Sequence, residues 1–297
     1  MKKRFLVAAL AAAMVSPLAA YAEATVYGNV HVSIDEFDDD NPATNEALEM
    51  NRNTTSIGVK GKEDLGGGMS ALFKMEYQTN ADTASGVSGR DRWVGLKGAM
   101  GTVKFGTMTS NYKATGSKVD PMWRTQLEGR GANARGMSPE LHGGAGITRG
   151  RSEDTVQYTS PAMSGVSIVI NTTFAGVDDE TTGLGIRYKT KDIFAFFDYI
   201  DMASGATTES AMKVGGTFKT GAITLGLQHE LTADLLGEDR TFLSVNYDLN
   251  DNDSVAFTFA SAAEDVALTG DDNGTAFALM YNHKMSKRTN VSAGYGS

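Results

Sequence analysis

The stretch Ile223-Thr224-Leu225-Gly226-Leu227-Gln228 sets an apolar side chain beside a small or polar one at every step. A period of two marks a β-strand, because successive side chains leave a pleated backbone on opposite faces. The same alternation continues outward in both directions. Leu243, Val245, Tyr247 and Leu249 interleave with Ser244, Asn246 and Asp248, and Val255, Phe257 and Phe259 with Ala256 and Thr258. Phe277-Leu279-Tyr281, Val291-Ala293-Tyr295, Val166-Ile168-Ile170 and the run from Met69 to Tyr77 follow the pattern. About fifteen such segments lie between Ala24 and Gly296, and Ile193 to Ile200 (IFAFFDYI) is the one that fails to alternate cleanly. No amphipathic helix of ordinary length stands out except in the loop after the fifth strand.

The connections carry a second signal. Short turns such as Asp64-Leu65-Gly66-Gly67, Lys219-Thr220-Gly221 and Asn250-Asp251-Asn252 alternate with long polar loops near 36–51, 80–89, 108–150, 174–181, 201–209, 231–240 and 261–273. An up-and-down meander with one tidy rim and one elaborate rim has the layout of an outer-membrane barrel. Tyr158, Tyr188, Phe218, Tyr247 and Tyr281 each lie just before a short turn, as an interfacial aromatic girdle requires. A soluble β-sandwich would also alternate, but with a densely aliphatic inner face and a charged outer one. Here the second face is Ser, Thr, Gly, Asn and Gln, which suits a water-filled lumen.

Composition agrees. The 297 residues carry 27 Lys+Arg against 36 Asp+Glu, a net charge of -9, with no Cys. Disulfide scaffolds and Cys-ligated metals are excluded, and the acidic balance speaks against a nucleic-acid partner. Lys2, Lys3 and Arg4, the apolar run Phe5 to Val15 and Ala20-Tyr21-Ala22 make residues 1–22 a signal peptide cut before Glu23, with one barrel domain over 23–297. Losing the three leader charges takes the net charge to -12.

Four motifs then carry a family resemblance. Ser56-Ile57-Gly58-Val59-Lys60-Gly61 with Glu63-Asp64-Leu65-Gly66, Arg90 to Gly98 leading to Gly101 to Gly106, Arg151 to Pro161, and Pro139-Glu140-Leu141 with Gly143-Gly144 resemble, in order, segments of the general Gram-negative porins. The resemblance implies an all-β, transmembrane antiparallel up-and-down β-barrel of sixteen strands, with a long third loop folded into the lumen. It implies a homotrimer that passes ions and small hydrophilic solutes by passive diffusion, embedded among outer-membrane lipid and lipopolysaccharide. It implies no cofactor. A sixteenth strand is expected beyond the fifteen counted, so the chain is expected to be C-terminally incomplete by about 25–40 residues.

Residues 108–150 form the longest connection, and a loop of that length is usually functional. It is locally +3, and its constriction candidates are Arg124, Arg130 and Arg135 against Asp120, Glu128 and Glu140. On the facing wall, parity from Gly95-Leu96 turns Trp93 outward and Arg90 and Arg92 inward. Parity likewise turns Lys60, Lys74 and Glu76 inward, and Arg151 at the start of the sixth strand. By resemblance, Arg90 and Arg151 match the family's basic ladder and Glu140 a loop acid. Ser56 stands where many relatives carry Arg, and Arg52, on the same parity, is the candidate substitute. A basic constriction predicts weak anion preference or near neutrality, against acidic outer loops that pull the other way. Two alternatives remain. One is a barrel hydrolase using His229 beside Glu230 and Asp234; the other is a non-conducting structural or adhesion barrel plugged by bulky side chains. The four His have no metal-ligand spacing, and Asp248-Asn250-Asn252 lacks the acid that closes a calcium loop at Phe259.

Overall fold

The computed structural model describes residues 23–37, 48–83, 86–129, 150–174, 181–204, 207–231, 239–262 and 275–297. The alternating segments become strands: β1 (Glu23–Asn29), β2 (Val32–Glu36), β3 (Leu48–Arg52), β4 (Ser56–Gly66), β5 (Met69–Thr79), β6 (Val87–Gly98) and β7 (Gly101–Thr109). After a helix α1 (Asn111–Val119) come β8 (Arg151–Thr159), β9 (Val166–Thr173), β10 (Thr181–Lys189), β11 (Ile193–Ser204) and β12 (Thr207–Thr220). The last five are β13 (Ile223–Leu231), β14 (Arg240–Asp248), β15 (Asp253–Ala262), β16 (Thr275–Lys284) and β17 (Asn290–Gly296).

Fifteen of these form one antiparallel sheet in the order β1-β4-β5 and onward to β17, each strand from β4 on beside its successor in the chain. The hairpin β2-β3 extends β1 and β4 past a shared break. At that break Thr55 takes over from the ladder: its hydroxyl accepts from the His31 amide at 3.0 Å and donates to the His31 carbonyl at 3.1 Å. Two breaks at one height leave fifteen wall strands, the number counted from the alternation.

Which face is wet follows from exposure. Leu227 is 49% exposed and its neighbour Gln228 is fully covered. Leu225, Leu243, Val245, Phe257 and Leu279 are likewise outward, whereas Ser244, Thr258, Ala256 and Ala278 are buried inside. This inverts a water-soluble protein and is the arrangement that lipid contact requires. Every interior strand is paired on both sides, as backbone groups must be in hydrocarbon. Among the described residues, β1 and β17 are each paired on one side only. The sheet is nevertheless rolled, because one short segment reaches both edges. Arg124 donates to Asn29 of β1 at 3.3 Å, while Leu127 packs on Gly294 of β17, where a Cβ would stand 2.5 Å from its Cδ1. Among the described residues no helix is long and apolar enough to cross a membrane. The expected signal peptide, residues 1–22, lies outside the described residues.

Candidate functional site: the narrowed lumen

The loop after β7 turns inward. Ser110 caps α1 by accepting the Lys113 amide at 3.2 Å. The helix then packs on the lumen side of β9 to β13. A cross-strand row of charge receives it: Asp198 on β11, Lys213 on β12, Glu230 on β13 and Arg240 on β14 stand side by side. Asn111 Nδ2 donates to Asp198 Oδ1 at 2.8 Å, Thr115 Oγ1 to Asp198 Oδ2 at 2.6 Å, and Arg187 Nη2 to Asp198 Oδ1 at 2.6 Å. The Tyr112 hydroxyl donates to Glu230, which also accepts from Gln228, and the Lys213 ammonium lies 4.2 Å from the Tyr112 ring centroid. Ser244 holds the far end of the helix through the Val119 carbonyl at 2.6 Å. Gly183 makes room for Asn111, since a Cβ there would stand 2.1 Å from its Oδ1.

The same contact explains IFAFFDYI. Phe194, Phe196 and Ile200 face the lumen, with Phe196 and Ile200 buried from its water and Phe194 partly so. Phe196, with Phe194 beside it, packs with Val119 and Phe242, and Ile200 with Tyr112 and Ala211. An apolar lumen face was the sequence signal for the docked helix. Beyond α1 the loop follows the wall, with Met122 against Ala256, Ala278 and Met280 and Gln126 donating to Asn53 at 3.0 Å.

Across the lumen, β4 to β8 present a different surface. Arg90 Nε meets Glu76 Oε1 at 2.5 Å, Lys74 Nζ bridges Glu76 at 3.0 Å and Asp91 at 2.9 Å, and Arg151 Nε meets Asp91 Oδ1 at 2.8 Å. Three bases and two acids thus form one chain of ion pairs across β5, β6 and β8. Tyr27 of β1 adds a hydrogen bond to Glu76 at 2.8 Å, and Lys60 lies 5.3 Å from the Tyr27 ring.

Of the expected wall residues, Arg90, Arg151, Lys60 and Lys74 share this face. Arg92 does not. It pairs with Met75 and reaches outward to Glu153 at 3.8 Å, while Trp93 pairs with Lys74 and faces the lumen, the reverse of the expected parity. Leu96 itself is outward, 53% exposed, so the unbroken alternation from 92 to 96 puts Arg92 out and Trp93 in; the register shift between Met75 and Tyr77 is what still brings Arg90 inward beside Asp91. Arg52 is also outward, paired with Val32, because the break at Asn53–Thr55 reverses parity before Ser56. Of the loop candidates, Asp120 and Glu128 are buried and turned onto their own loop. Asp120 accepts the Met122 and Gly129 amides at 2.8 Å each, and Glu128 accepts the Arg124 amide at 2.9 Å. Arg124 itself has a left-handed backbone, φ 69°, and points to β1. Arg130, Arg135 and Glu140 lie outside the described residues. Parity missed Asp91, Trp93 and Lys104 as lumen residues, and Asp198, Lys213 and Arg240 carried no motif at all.

His229 and Glu230, the candidate dyad, lie on opposite faces of β13. Glu230 is buried under α1, while the His229 Nδ1 is 2.9 Å from the Thr241 hydroxyl, and Asp234 lies outside the described residues. Among the described residues no three His, Asp or Glu side chains gather as a metal site.

A rolled antiparallel sheet with an apolar outside, a polar inside and a loop docked in its lumen defines an outer-membrane β-barrel. A Gram-negative porin family profile matches residues 8–297, and the chain belongs to that family, whose place is the outer membrane. The major outer membrane protein P.IB of Neisseria gonorrhoeae is 29% identical over 205 residues, 66% of this chain and 56% of the relative. The match therefore spans just over half the length of that curated relative. An anion-selective porin from Comamonas acidovorans superposes with a TM-score of 0.73 at 20% identity, over 93% of this chain and 88% of that one. OmpT of Vibrio cholerae in its trimer form superposes with a TM-score of 0.68 at 13% identity, over 93% and 89%.

Proposed function

We propose that the chain forms a water-filled channel for passive diffusion of ions and small hydrophilic solutes, with weak anion preference. The carrying observation is the asymmetry of the lumen. Loop 3 docks on one wall and seals its charges, leaving the β4–β8 wall as the charged surface a solute passes. There Arg90, Lys74 and Arg151 outnumber Glu76 and Asp91, and Lys60 and Lys104 add positive charge with no ion pair among the described residues. Charges within about 8 Å of a passing ion act on it at physiological salt, and more distant exposed ones are screened. The acidic outer loops therefore weigh less than this wall. Arg130, Arg135 and Glu140 complete the constriction from the loop side in this reading.

The channel works as a homotrimer, a state supported by the trimer form among its structural neighbours. Its outer face meets lipid and its long-loop rim meets lipopolysaccharide. Residues 1–22 direct export and are removed. Reconstitution into a planar bilayer tests the whole reading: conductance should rise in steps grouped in threes. A bilayer that stays silent at high protein load would overturn it.

A further inference from the structure

A Trp facing a water-filled lumen needs a reason, because its neighbours on the inner face are mainly small or polar. At its height one row runs Lys60 on β4, Lys74 on β5, Trp93 on β6 and Gly106 on β7. Two of the positions around the indole carry no side chain. Gly106 lies directly across, at φ 129° and with a Cβ position 2.4 Å from the Arg92 carbonyl oxygen, so only glycine fits there. Gly95 is the next inward residue on β6 and pairs with Lys104. The Lys104 ammonium lies 4.7 Å from the indole centroid. Lys74 is already neutralised by Asp91 and Glu76. Lys60 and Lys104 form no ion pair among the described residues. One ammonium without an ion pair, that of Lys104, thus stands against an aromatic plane on the wall that solutes pass, while that of Lys60, two strands away, lies over the Tyr27 ring.

We infer that Trp93, with Lys104, is a retention site for small aromatic carboxylates. The carboxylate would meet an ammonium and the ring would lie against the indole, two contacts no single inorganic or aliphatic anion can make together. Aromatic cations are repelled and neutral aromatics lack the charge contact. Binding must stay weak, since a conducting site has to release what it holds. The inference rests on the diffusion-channel reading, and the experiment separates the two.

The chain has two Trp, so Trp123→Phe leaves Trp93 as its single indole. Benzoate titrated into this full chain in detergent micelles should change the indole emission along a saturating curve in the millimolar range. Cyclohexanecarboxylate, equal in charge but not aromatic, should give a clearly smaller change, as should benzyl alcohol. Equal responses to all three, or no saturation, overturn the site. In bilayers, the block of chloride current by benzoate is divided by that of cyclohexanecarboxylate on the same protein. The ratio should exceed one in the unsubstituted chain and fall to about one in Trp93→Leu. Lys104→Gln should raise the half-blocking concentration of benzoate about five-fold. A ratio that stays above one in Trp93→Leu also overturns the site. Emission needs no ion flow, so a chain that titrates but never conducts would sink the channel reading alone.

Discussion

Two walls of one lumen use the same residue types to opposite ends. On β11 to β13, Lys213, Asp198 and Glu230 are sealed under α1, with Lys213 1% and Asp198 0% exposed. On β5 to β8, the side chains of Lys74, Arg90 and Arg151 keep 22%, 13% and 18% exposure. The first set fastens a loop and the second meets solutes. What separates them is the apolar inner face of β11, which recruits the helix and so decides which charges stay wet.

The largest way to break this contrast is to unfasten the loop. Asp198→Ala removes the acceptor shared by Asn111, Thr115 and Arg187. Leaving one side of a buried charged contact unpaired costs about 3–5 kcal/mol. Thermal unfolding in detergent should begin earlier, and single channels should be larger and noisier. A variant with unchanged conductance and melting would show that the latch does not hold the loop.

Next in size is reversal of the open wall. Arg90→Ala with Arg151→Ala turns three bases and two acids into one base and two acids. The zero-current potential in a salt gradient should move toward cation preference. Lys104→Gln should move it the same way but less, and the shift should fade near 1 M salt, where the screening length is about 3 Å. The smallest expected effect is also a sharp one: Arg52→Ala and Arg92→Ala should leave selectivity where it was, because both residues face out.

Those last two arginines mark the limit of what the sequence carries. Strict alternation located the strands, their number and the apolar face, since lipid on one side and water on the other punish every violation. Loop lengths singled out the segment that folds inward. Parity counting failed at Arg52, which the irregularity at Asn53–Thr55 turns outward, and at Arg92 and Trp93, which are misplaced by counting from Leu96 as if it faced inward; the shift at Met75–Tyr77 is what brings both Arg90 and Asp91 into the lumen. No residue type announces such a shift. The charges at Asp198, Lys213 and Glu230 were visible as letters, but their burial depends on a helix arriving from another part of the chain. The broken alternation of IFAFFDYI was its trace, intelligible once Tyr112 and Val119 are seen against it.

The most direct test of the central claim, that the open basic wall outweighs the acidic loops, is the zero-current potential of the unsubstituted chain. It is measured in a planar bilayer under a potassium chloride gradient at low salt. The account predicts the sign of a chloride-preferring pore, with a small magnitude. A clear potassium preference would contradict it.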